Sequence, residues 1–178
     1  RGKGAALRTG VQAASGDYTL LFDADSATSI EELMKFTAEL TRSSANILIG
    51  CRVPKNAVGV TVKMAPYRRF IGRVYHAMTI PLIPGIRDAA CGFKLLETKK
   101  AKELFATQRI NRFAYDIEIL AAALHRNWRV VEVPVNWSAV PISKVNIIRD
   151  GIEMFLRVFQ IYTWKILGKG IFQESSSR

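Results

Sequence analysis

The stretch Leu20-Leu-Phe-Asp-Ala-Asp-Ser26 decides the fold of this chain, because an apolar run ends there in two aspartates. Such a run is typical of a buried strand in an α/β sheet, and these sheets bind ligands beyond the carboxyl ends of their strands. If the backbone stays extended, Asp23 and Asp25 point to the same side, since side chains alternate along a strand. Two carboxylates with room for water and phosphate are suitable ligands for Mg²⁺ or Mn²⁺. The alternative is an acidic turn without a metal.

Outward from this stretch, the pattern predicts alternating helices and strands. We expect a helix over residues 3–14, a strand over 18–22 and a second strand over 46–50. Between the two strands, Ser29 and Glu32 have the spacing of a capping box, which predicts a helix from there to about residue 41. A strand, a helix and a strand at this spacing predict a parallel crossover. The later elements are predicted as helices over 67–80, 99–106, 115–126 and 147–167, and strands over 91–96 and 129–135.

Length and charge limit the classes of function. A chain of 178 residues is long enough for one domain with a hydrophobic core. Its formal net charge of +11 favours a negatively charged partner, such as nucleic acid, an anionic membrane surface or a phosphorylated substrate. The sequence has no RNA-binding aromatic motif, zinc-ligand spacing or dense Lys/Arg block, so we expect no nucleic-acid partner. Cys51 and Cys91 match no disulfide or metal spacing and are expected to be reduced thiols.

Several segments follow one another in the order and spacing of a known family. They are Arg1-Gly-Lys-Gly-Ala-Ala-Leu-Arg8, Asp23-Ala-Asp-Ser-Ala-Thr28, Gly50-Cys-Arg52, Gly85-Ile-Arg-Asp-Ala-Ala-Cys-Gly-Phe-Lys-Leu95, Arg112-Phe-Ala-Tyr-Asp-Ile-Glu-Ile-Leu120, Val135-Asn-Trp137 and Ser143-Lys144. The series resembles family 2 glycosyltransferases of the GT-A fold. Within that family the likeness is greatest to the enzymes that form dolichyl β-D-glucosyl phosphate.

The resemblance implies a fold and a division of the chain. The fold is α/β of the GT-A type, a Rossmann-like, mixed and mostly parallel sheet flanked by helices. The family's first strands, with most of the nucleotide-base pocket and the membrane anchor, are expected to be missing here. Residues 1–146 then form a partial catalytic domain, and residues 147–178 form an amphipathic helix and tail at a membrane interface. The helix predicted over 67–80 either lies in the same interface or packs on the sheet.

The resemblance also implies an activity. It is the inverting, metal-dependent transfer of glucose from UDP-glucose to dolichyl phosphate, for N-glycan assembly. The location implied is the membrane of the endoplasmic reticulum, with the active site facing the cytosol. Two alternatives stay open: another polyprenyl-phosphate glycosyltransferase, for example one that uses GDP-mannose, and a membrane-surface module with impaired catalysis. The last is favoured by Ala89 and Ala90, because the family commonly has Thr and Gln there.

On the donor side, the resemblance assigns four residues. Asp23 and Asp25 match the family's D-x-D motif, which holds Mg²⁺ or Mn²⁺ and, through the ion, the donor diphosphate. Lys3 and Arg8 lie beside small residues at a helix start, where phosphate groups bind readily. Arg8 is almost as compatible with an ordinary solvated basic face.

On the acceptor side, the resemblance gives two kinds of candidate. Asp88 and Asp116 are equal candidates for the carboxylate that positions or deprotonates the acceptor. Because a phosphate acceptor is already an anion, positioning is expected to matter more than proton removal. Arg52, Arg69 and Lys144 are the candidates for binding the acceptor phosphate.

Three other ionisable residues are given structural interpretations. Glu118 follows Asp116 by two positions and turns away from it on a helix, so we expect a structural partner. His76 and His125 have no spacing that indicates a triad. We expect them on a helix surface or in the core.

Overall fold

The structure is a computed structural model that describes residues 1–53, 61–63, 66–138, 147–169 and 172. All the predicted helices and strands are present, most with bounds within one or two residues of the predicted ones, and two short strands, Val62–Lys63 and Trp137–Ser138, were not predicted. The helices are α1 (Lys3–Ala13), α2 (Leu33–Ser43), α3 (Pro66–Thr79), α4 (Thr98–Thr107), α5 (Tyr115–His125) and α6 (Ile147–Ile166). The strands are β1 (Tyr18–Leu21), β2 (Ile47–Cys51), β3 (Val62–Lys63), β4 (Lys94–Glu97), β5 (Val130–Pro134) and β6 (Trp137–Ser138).

The main sheet is mixed, with the strand order β1-β4-β2-β5, and β3 pairs with β6 in a separate two-stranded sheet. Strand β4 is antiparallel to both β1 and β2, while β2 and β5 are parallel. Strands β1, β2 and β5 therefore share one direction, which agrees with the predicted crossover from β1 through α2 to β2. The two strands are not neighbours, however, because β4 lies between them. The predicted α/β class, a mixed sheet flanked by helices, is confirmed.

Helices cover both faces of this sheet. Because side chains alternate between the faces, successive strand residues enter two different hydrophobic clusters. On one face, Phe36 of α2 packs with Leu48 and Phe93. On the other face, a larger cluster joins Leu21, Ile49 and other strand residues to helices α1, α4, α5 and α6. The carboxyl ends of β1 and β2 are left open to the candidate site.

Ser29 lies just before the turn that leads into α2, as the predicted capping box requires, but the capping hydrogen bond of its hydroxyl is not formed. The turn is a 3₁₀ turn over Ile30–Glu32. The Glu32 carboxylate instead accepts hydrogen bonds from Asn136 at 2.9 Å and Lys35 at 2.6 Å. The reason is a long-range partner, Asn136, which local sequence spacing cannot reveal.

Helix α6 belongs to the same core as the sheet. Its residues Val158 and Ile161 are fully buried in the larger cluster. The hydroxyl of Tyr162 donates a 2.7 Å hydrogen bond to the backbone carbonyl of Met78, at the end of α3. In the described ranges, no helix combines the length and the apolarity needed to cross a membrane.

Both cysteines are free and buried, in agreement with the expected reduced thiols. Burial, with the nearby carboxylate of Glu132, raises the pKa of Cys51 to about 12. This thiol therefore stays protonated and unreactive near neutral pH.

Candidate active site

A narrow cleft at the carboxyl end of β1 contains both predicted metal ligands. Its volume is about 80 Å³, and Asp23 and Asp25 lie in its wall together with Thr28, Gly92 and Phe93. The prediction of a shared side is correct, although the backbone is not extended there. Strand β1 ends at Leu21, and the chain turns so that the Ala27 N–H donates to Asp25 Oδ1 at 3.1 Å. We call this space the aspartate cleft.

The carboxylate of Asp23 is held on two sides. Lys3 Nζ lies 2.7 Å from Asp23 Oδ1, so one predicted donor residue pairs with another. On its other side is Gly92, where an added Cβ atom would lie 1.9 Å from Asp23 Oδ2. Gly92 is therefore required for the position of this carboxylate, because only a hydrogen fits between them.

The aspartate cleft is chemically suited to a divalent cation. Asp23 and Asp25 supply the hard carboxylate oxygens that Mg²⁺ and Mn²⁺ prefer. Within the residues that the structure describes, no group of three or more His, Cys, Asp or Glu side chains could hold a metal ion. An ion held by these two aspartates would thus need oxygen ligands from a phosphate group or water, which Mg²⁺ retains readily.

Beside the cleft lies a larger, open cavity of about 500 Å³ with a basic wall. Five of its lining residues are arginine or histidine, and Asp88 is the only carboxylate among all the lining residues. The lining residues are Arg52, Val53, Arg69, Gly72, Arg73, His76, Arg87, Asp88 and Trp137. Such a concentration of guanidinium groups suits an anion with phosphate geometry. We call this space the basic cavity.

Arg52 and Asp88 form a closed ion pair at the base of the basic cavity. Arg52 Nε and Nη2 each donate to a different carboxylate oxygen at 2.7 Å, and the Arg52 backbone N–H donates at 2.8 Å. Burial pushes the pKa of Asp88 upward, but these bonds and the charge of Arg52 outweigh it and lower the pKa below 3.8. Asp88 therefore stays ionised and is a weak base, which favours a positioning role.

The substitution Asp88→Asn tests this ion pair through its pH dependence. Since the pKa of Asp88 is lower in the folded protein than in the unfolded chain, the unfolded chain takes up the proton first as the pH falls. The pair therefore stabilises the fold above about pH 4, and its contribution is lost progressively at lower pH. We expect Asp88→Asn to cost about 3 kcal/mol at pH 7, because Arg52 loses its buried partner. Urea unfolding from pH 7 to pH 3 measures this, and equal losses at all pH values would contradict it.

Arg52 and Trp137 stand between the two spaces. They are the two residues that line both the aspartate cleft and the basic cavity. The guanidinium carbon of Arg52 lies 5.3 Å from the centroid of a Trp137 ring, a cation–π contact. A ligand in the cleft and a ligand in the cavity would therefore meet at this pair.

The structure brings most of the predicted residues together. Lys3, Asp23 and Asp25 meet at the aspartate cleft, and Arg52, Arg69 and Asp88 meet at the basic cavity. Lys144, another residue predicted on the acceptor side, lies outside the described residues.

Two predicted residues lie apart from these spaces. Arg8 donates to the Gln108 carbonyl at 2.8 Å and to Asn111 Oδ1 at 3.0 Å, so it fixes the segment between α4 and α5. Its contact with the sugar donor stays a prediction. Asp116 is buried at the start of α5 and is not among the residues that line either space. Its carboxylate accepts a 3.0 Å hydrogen bond from the Ile117 N–H.

The structural interpretation of Glu118 is correct. Its side chain is fully buried, and its two oxygens accept hydrogen bonds from the backbone N–H groups of Arg109 at 2.7 Å and Ile110 at 2.8 Å. The carboxylate thus fixes the turn between α4 and α5. Burial raises the pKa of Glu118, and these two hydrogen bonds act against that rise.

Sequence reasoning missed three residues of the basic cavity. Arg73 and His76 follow Arg69 by four and seven positions on α3, which places all three on one helix face. That spacing is a signal that could have identified them. Arg87 directly precedes Asp88 in the segment already singled out, and only the fold shows that it lines the same cavity. His76 lies half-buried on the surface of α3, in agreement with the expected helix-surface or core position, and there it lines the basic cavity.

Comparison with known proteins gives a family match that covers more than half of the chain. The sequence model described as Glycosyl transferase family 2 matches residues 1–105. This range includes Asp23, Asp25, Arg52 and the turn that carries Asp88.

Curated relatives match over most of the chain. The chain is 38% identical over 165 residues to dolichyl-phosphate beta-glucosyltransferase ALG5C of Trichomonas vaginalis, covering 90% of this chain and 48% of that protein. It is 31% identical over 172 residues to dolichyl-phosphate beta-glucosyltransferase of Dictyostelium discoideum, covering 94% and 53%. It is 35% identical over 150 residues to the protein of the same name from Mus musculus, covering 82% and 46%. The chain spans about half the length of the curated relatives it matches.

A solved structure shares the fold. The crystal structure of mannosyl-3-phosphoglycerate synthase from Rubrobacter xylanophilus matches 99% of this chain and 54% of that chain, with a TM-score of 0.52. The sequence identity is 14%, so the likeness concerns the fold alone.

Proposed function

The chain belongs to glycosyl transferase family 2, and from this membership and its two adjoining spaces we propose that it transfers glucose from UDP-glucose to dolichyl phosphate. The observation that carries the proposal is the shared wall of Arg52 and Trp137 between an acidic and a basic space. A transferase of this kind needs a site for a metal-bound diphosphate beside a site for an anionic acceptor. The names of the curated relatives support glucose as the sugar and dolichyl phosphate as the acceptor.

On the donor side, we propose that Asp23 and Asp25 hold Mg²⁺ or Mn²⁺ and that Lys3 binds the donor diphosphate. The bound ion would supply neutralisation of the charge that develops on the leaving UDP. Lys3 Nζ, which lies 2.7 Å from Asp23, is close enough to serve the same phosphates. Its ammonium also keeps the Asp23 carboxylate oriented before any ligand arrives.

On the acceptor side, the basic cavity would bind the phosphate of dolichyl phosphate. Arg69 and Arg73 extend from α3, and Arg87 comes from the turn before β4. Their guanidinium groups match phosphate oxygens in geometry and charge. Arg52 reaches the cavity while held by Asp88, so Asp88 acts by orienting Arg52 rather than by removing a proton.

The transfer itself then follows from proximity. A phosphate oxygen of the acceptor forms a bond to the anomeric carbon of glucose while the bond from that carbon to the UDP oxygen breaks. The acceptor attacks from the cavity and UDP departs into the cleft on the opposite side, so the configuration at the anomeric carbon inverts. Because the acceptor oxygen is already anionic, alignment by Arg52 and the cavity arginines replaces strong base catalysis.

A donor comparison tests the proposal. Protein expressed from the full-length gene is purified and incubated with dolichyl phosphate, Mn²⁺ and either radiolabelled UDP-glucose or radiolabelled GDP-mannose. We expect a labelled lipid with UDP-glucose, and no label when the metal is chelated with EDTA. Product from GDP-mannose alone would show that the protein is a different polyprenyl-phosphate glycosyltransferase, with mannose as its sugar. Absence of product with both donors, from folded protein bound to vesicles, would contradict an enzymatic function.

We further propose that the protein works at the membrane of the endoplasmic reticulum, with its site facing the cytosol. Helices α3 and α6 pack together, with the rings of Tyr75 and Phe155 6.2 Å apart. Each helix also exposes large apolar side chains, including Phe70, 68% exposed, and Phe159, 62% exposed. Helix α3 lines the basic cavity as well, so a lipid acceptor lying in the membrane could bring its phosphate there directly.

The double substitution Phe70→Ser and Phe159→Ser tests the membrane contact. Burial of one phenylalanine side chain contributes about 1.5 kcal/mol or more, so we expect vesicle binding to weaken about tenfold or more. Sedimentation with vesicles of phosphatidylcholine and phosphatidylserine measures this. Met34→Ser is the matched control, since Met34 is 76% exposed on α2, at the opposite face of the sheet. Equal binding by the double variant and the control would rule out this contact.

A further inference from the structure

One row of paired residues across the main sheet contains two ionisable side chains, and its other two members are apolar. Lys94 of β4 pairs with Leu21 on β1 and with Ile49 on β2, and Ile49 pairs in turn with Glu132 on β5. Paired residues share a face, and Leu21 and Ile49 belong to the larger hydrophobic cluster. Lys94 and Glu132 thus flank Ile49 at the edge of the sheet that carries the site.

Both side chains bind the same turn, which comprises residues 87–92 and connects the two spaces. Glu132 Oε1 accepts hydrogen bonds from the backbone N–H groups of Arg87 at 2.7 Å and Asp88 at 2.8 Å. Lys94 Nζ donates to the backbone carbonyl of Cys91. The first end of the turn presents Asp88 to the basic cavity, and the second end places Gly92 against Asp23.

Resting on the proposed glycosyl transfer, we infer that Lys94 and Glu132 are positioning residues that fix the 87–92 turn at two points. Glu132 sets the end that carries Arg87 and Asp88. Lys94 sets the end next to Asp23. The distance between the donor and acceptor sides is therefore determined by one row of paired residues in the main sheet.

From the environment of Lys94 we expect its charge to cost stability. Its side chain is 0% exposed, although lysine is rarely buried without a carboxylate partner. Its ammonium lies 5.9 Å from the centroid of the Tyr115 ring, and it faces the charges of Asp116, Asp88 and Lys3 at longer range. Burial lowers the pKa of Lys94, and Asp116 acts most strongly against that fall. Such a charge costs stability, so an apolar side chain of similar size would be tolerated or preferred by the fold.

The experiment compares stability with function in purified protein. Lys94→Met and Glu132→Leu remove the two supports, while Glu132→Gln keeps the oxygen that accepts both N–H groups. Leu96→Met is the matched control, because Leu96 is fully buried on the same face of β4. For each protein we would measure the thermal midpoint, the rate of glucose transfer, and amide hydrogen exchange in residues 87–92.

We expect the thermal midpoint of Lys94→Met to equal or exceed that of the control, while transfer falls about a hundredfold and exchange in the turn becomes faster. Glu132→Leu should lose transfer similarly, and Glu132→Gln should recover most of it. Transfer and exchange at control values in both Lys94→Met and Glu132→Leu would overturn the inference. A lower midpoint with normal transfer by the folded protein would also overturn it. If the unaltered protein transfers no glucose, the proposed function fails, and hydrogen exchange still decides whether these residues fix the turn.

Discussion

Gly92→Ala is expected to weaken the metal-dependent binding of UDP-glucose by about a hundredfold while the protein stays folded. The alanine methyl would lie 1.9 Å from Asp23 Oδ2, a distance at which the two atoms clash. Asp23 has a side chain that is 40% exposed, so it can rotate away without disturbing the core. That rotation would separate it from Asp25 and from Lys3. Titration calorimetry with UDP-glucose, with and without Mn²⁺, measures the loss.

Two further variants make this prediction specific. Gly10→Ala is the matched control, because a Cβ atom at Gly10 meets nothing within 4 Å. Asp25→Ala should produce a loss like that of Gly92→Ala, since both remove one oxygen ligand from the proposed ion. Binding by Gly92→Ala at the affinity of the Gly10→Ala control would contradict the assigned role of Asp23.

Arg52→Lys is expected to reduce glucose transfer by about a hundredfold or more, although the charge is kept. Arg52 uses two guanidinium nitrogens on the two oxygens of Asp88, both at 2.7 Å. A lysine ammonium is a point donor and cannot reproduce this fork. It would also lose the contact of the guanidinium with the Trp137 ring. Steady-state transfer rates at saturating UDP-glucose and dolichyl phosphate measure the change.

The control for this substitution is an arginine fork elsewhere on the protein. Arg42 donates through Nε and Nη2 to Glu39, and its side chain is 80% exposed on α2. Arg42→Lys should therefore leave transfer unchanged, as exposed pairs contribute little. Normal transfer by Arg52→Lys would show that charge alone suffices at the wall between the two spaces.

Local patterns predicted most elements because each carries its own signal. The apolar runs that became β1, β2 and β5 stand between turn residues, and α5 follows from its richness in Ala, Ile and Leu. The same runs placed Asp23, Asp25 and Arg52 at the ends of strands, where the structure has them. Glu118 was also interpreted correctly, since its direction on α5 depends only on helix geometry.

Long-range pairing accounts for what was missed. Nothing in residues 91–96 indicates that β4 lies antiparallel between β1 and β2, because strand direction depends on the partners. A lysine in that strand would ordinarily be assigned to solvent, yet Lys94 is fully buried. The contribution of Arg87 to the basic cavity and the support of its turn by Glu132 likewise arise only when β5 is in place.

The direction of β4 has a consequence for how the protein can diversify. Strand β4 is antiparallel to β1 and β2, so its amino end lies at the same edge of the sheet as their carboxyl ends. The residues that precede β4, Asp88 and Gly92 among them, are therefore the ones that reach the site. Residues before β2 then supply the aspartate cleft with its acids, and a contiguous cassette from Arg52 to Asp88 supplies the basic cavity with all but Trp137. Under the proposed assignment of the two spaces, exchange of this one uninterrupted segment would alter acceptor preference and leave Asp23 and Asp25 unchanged.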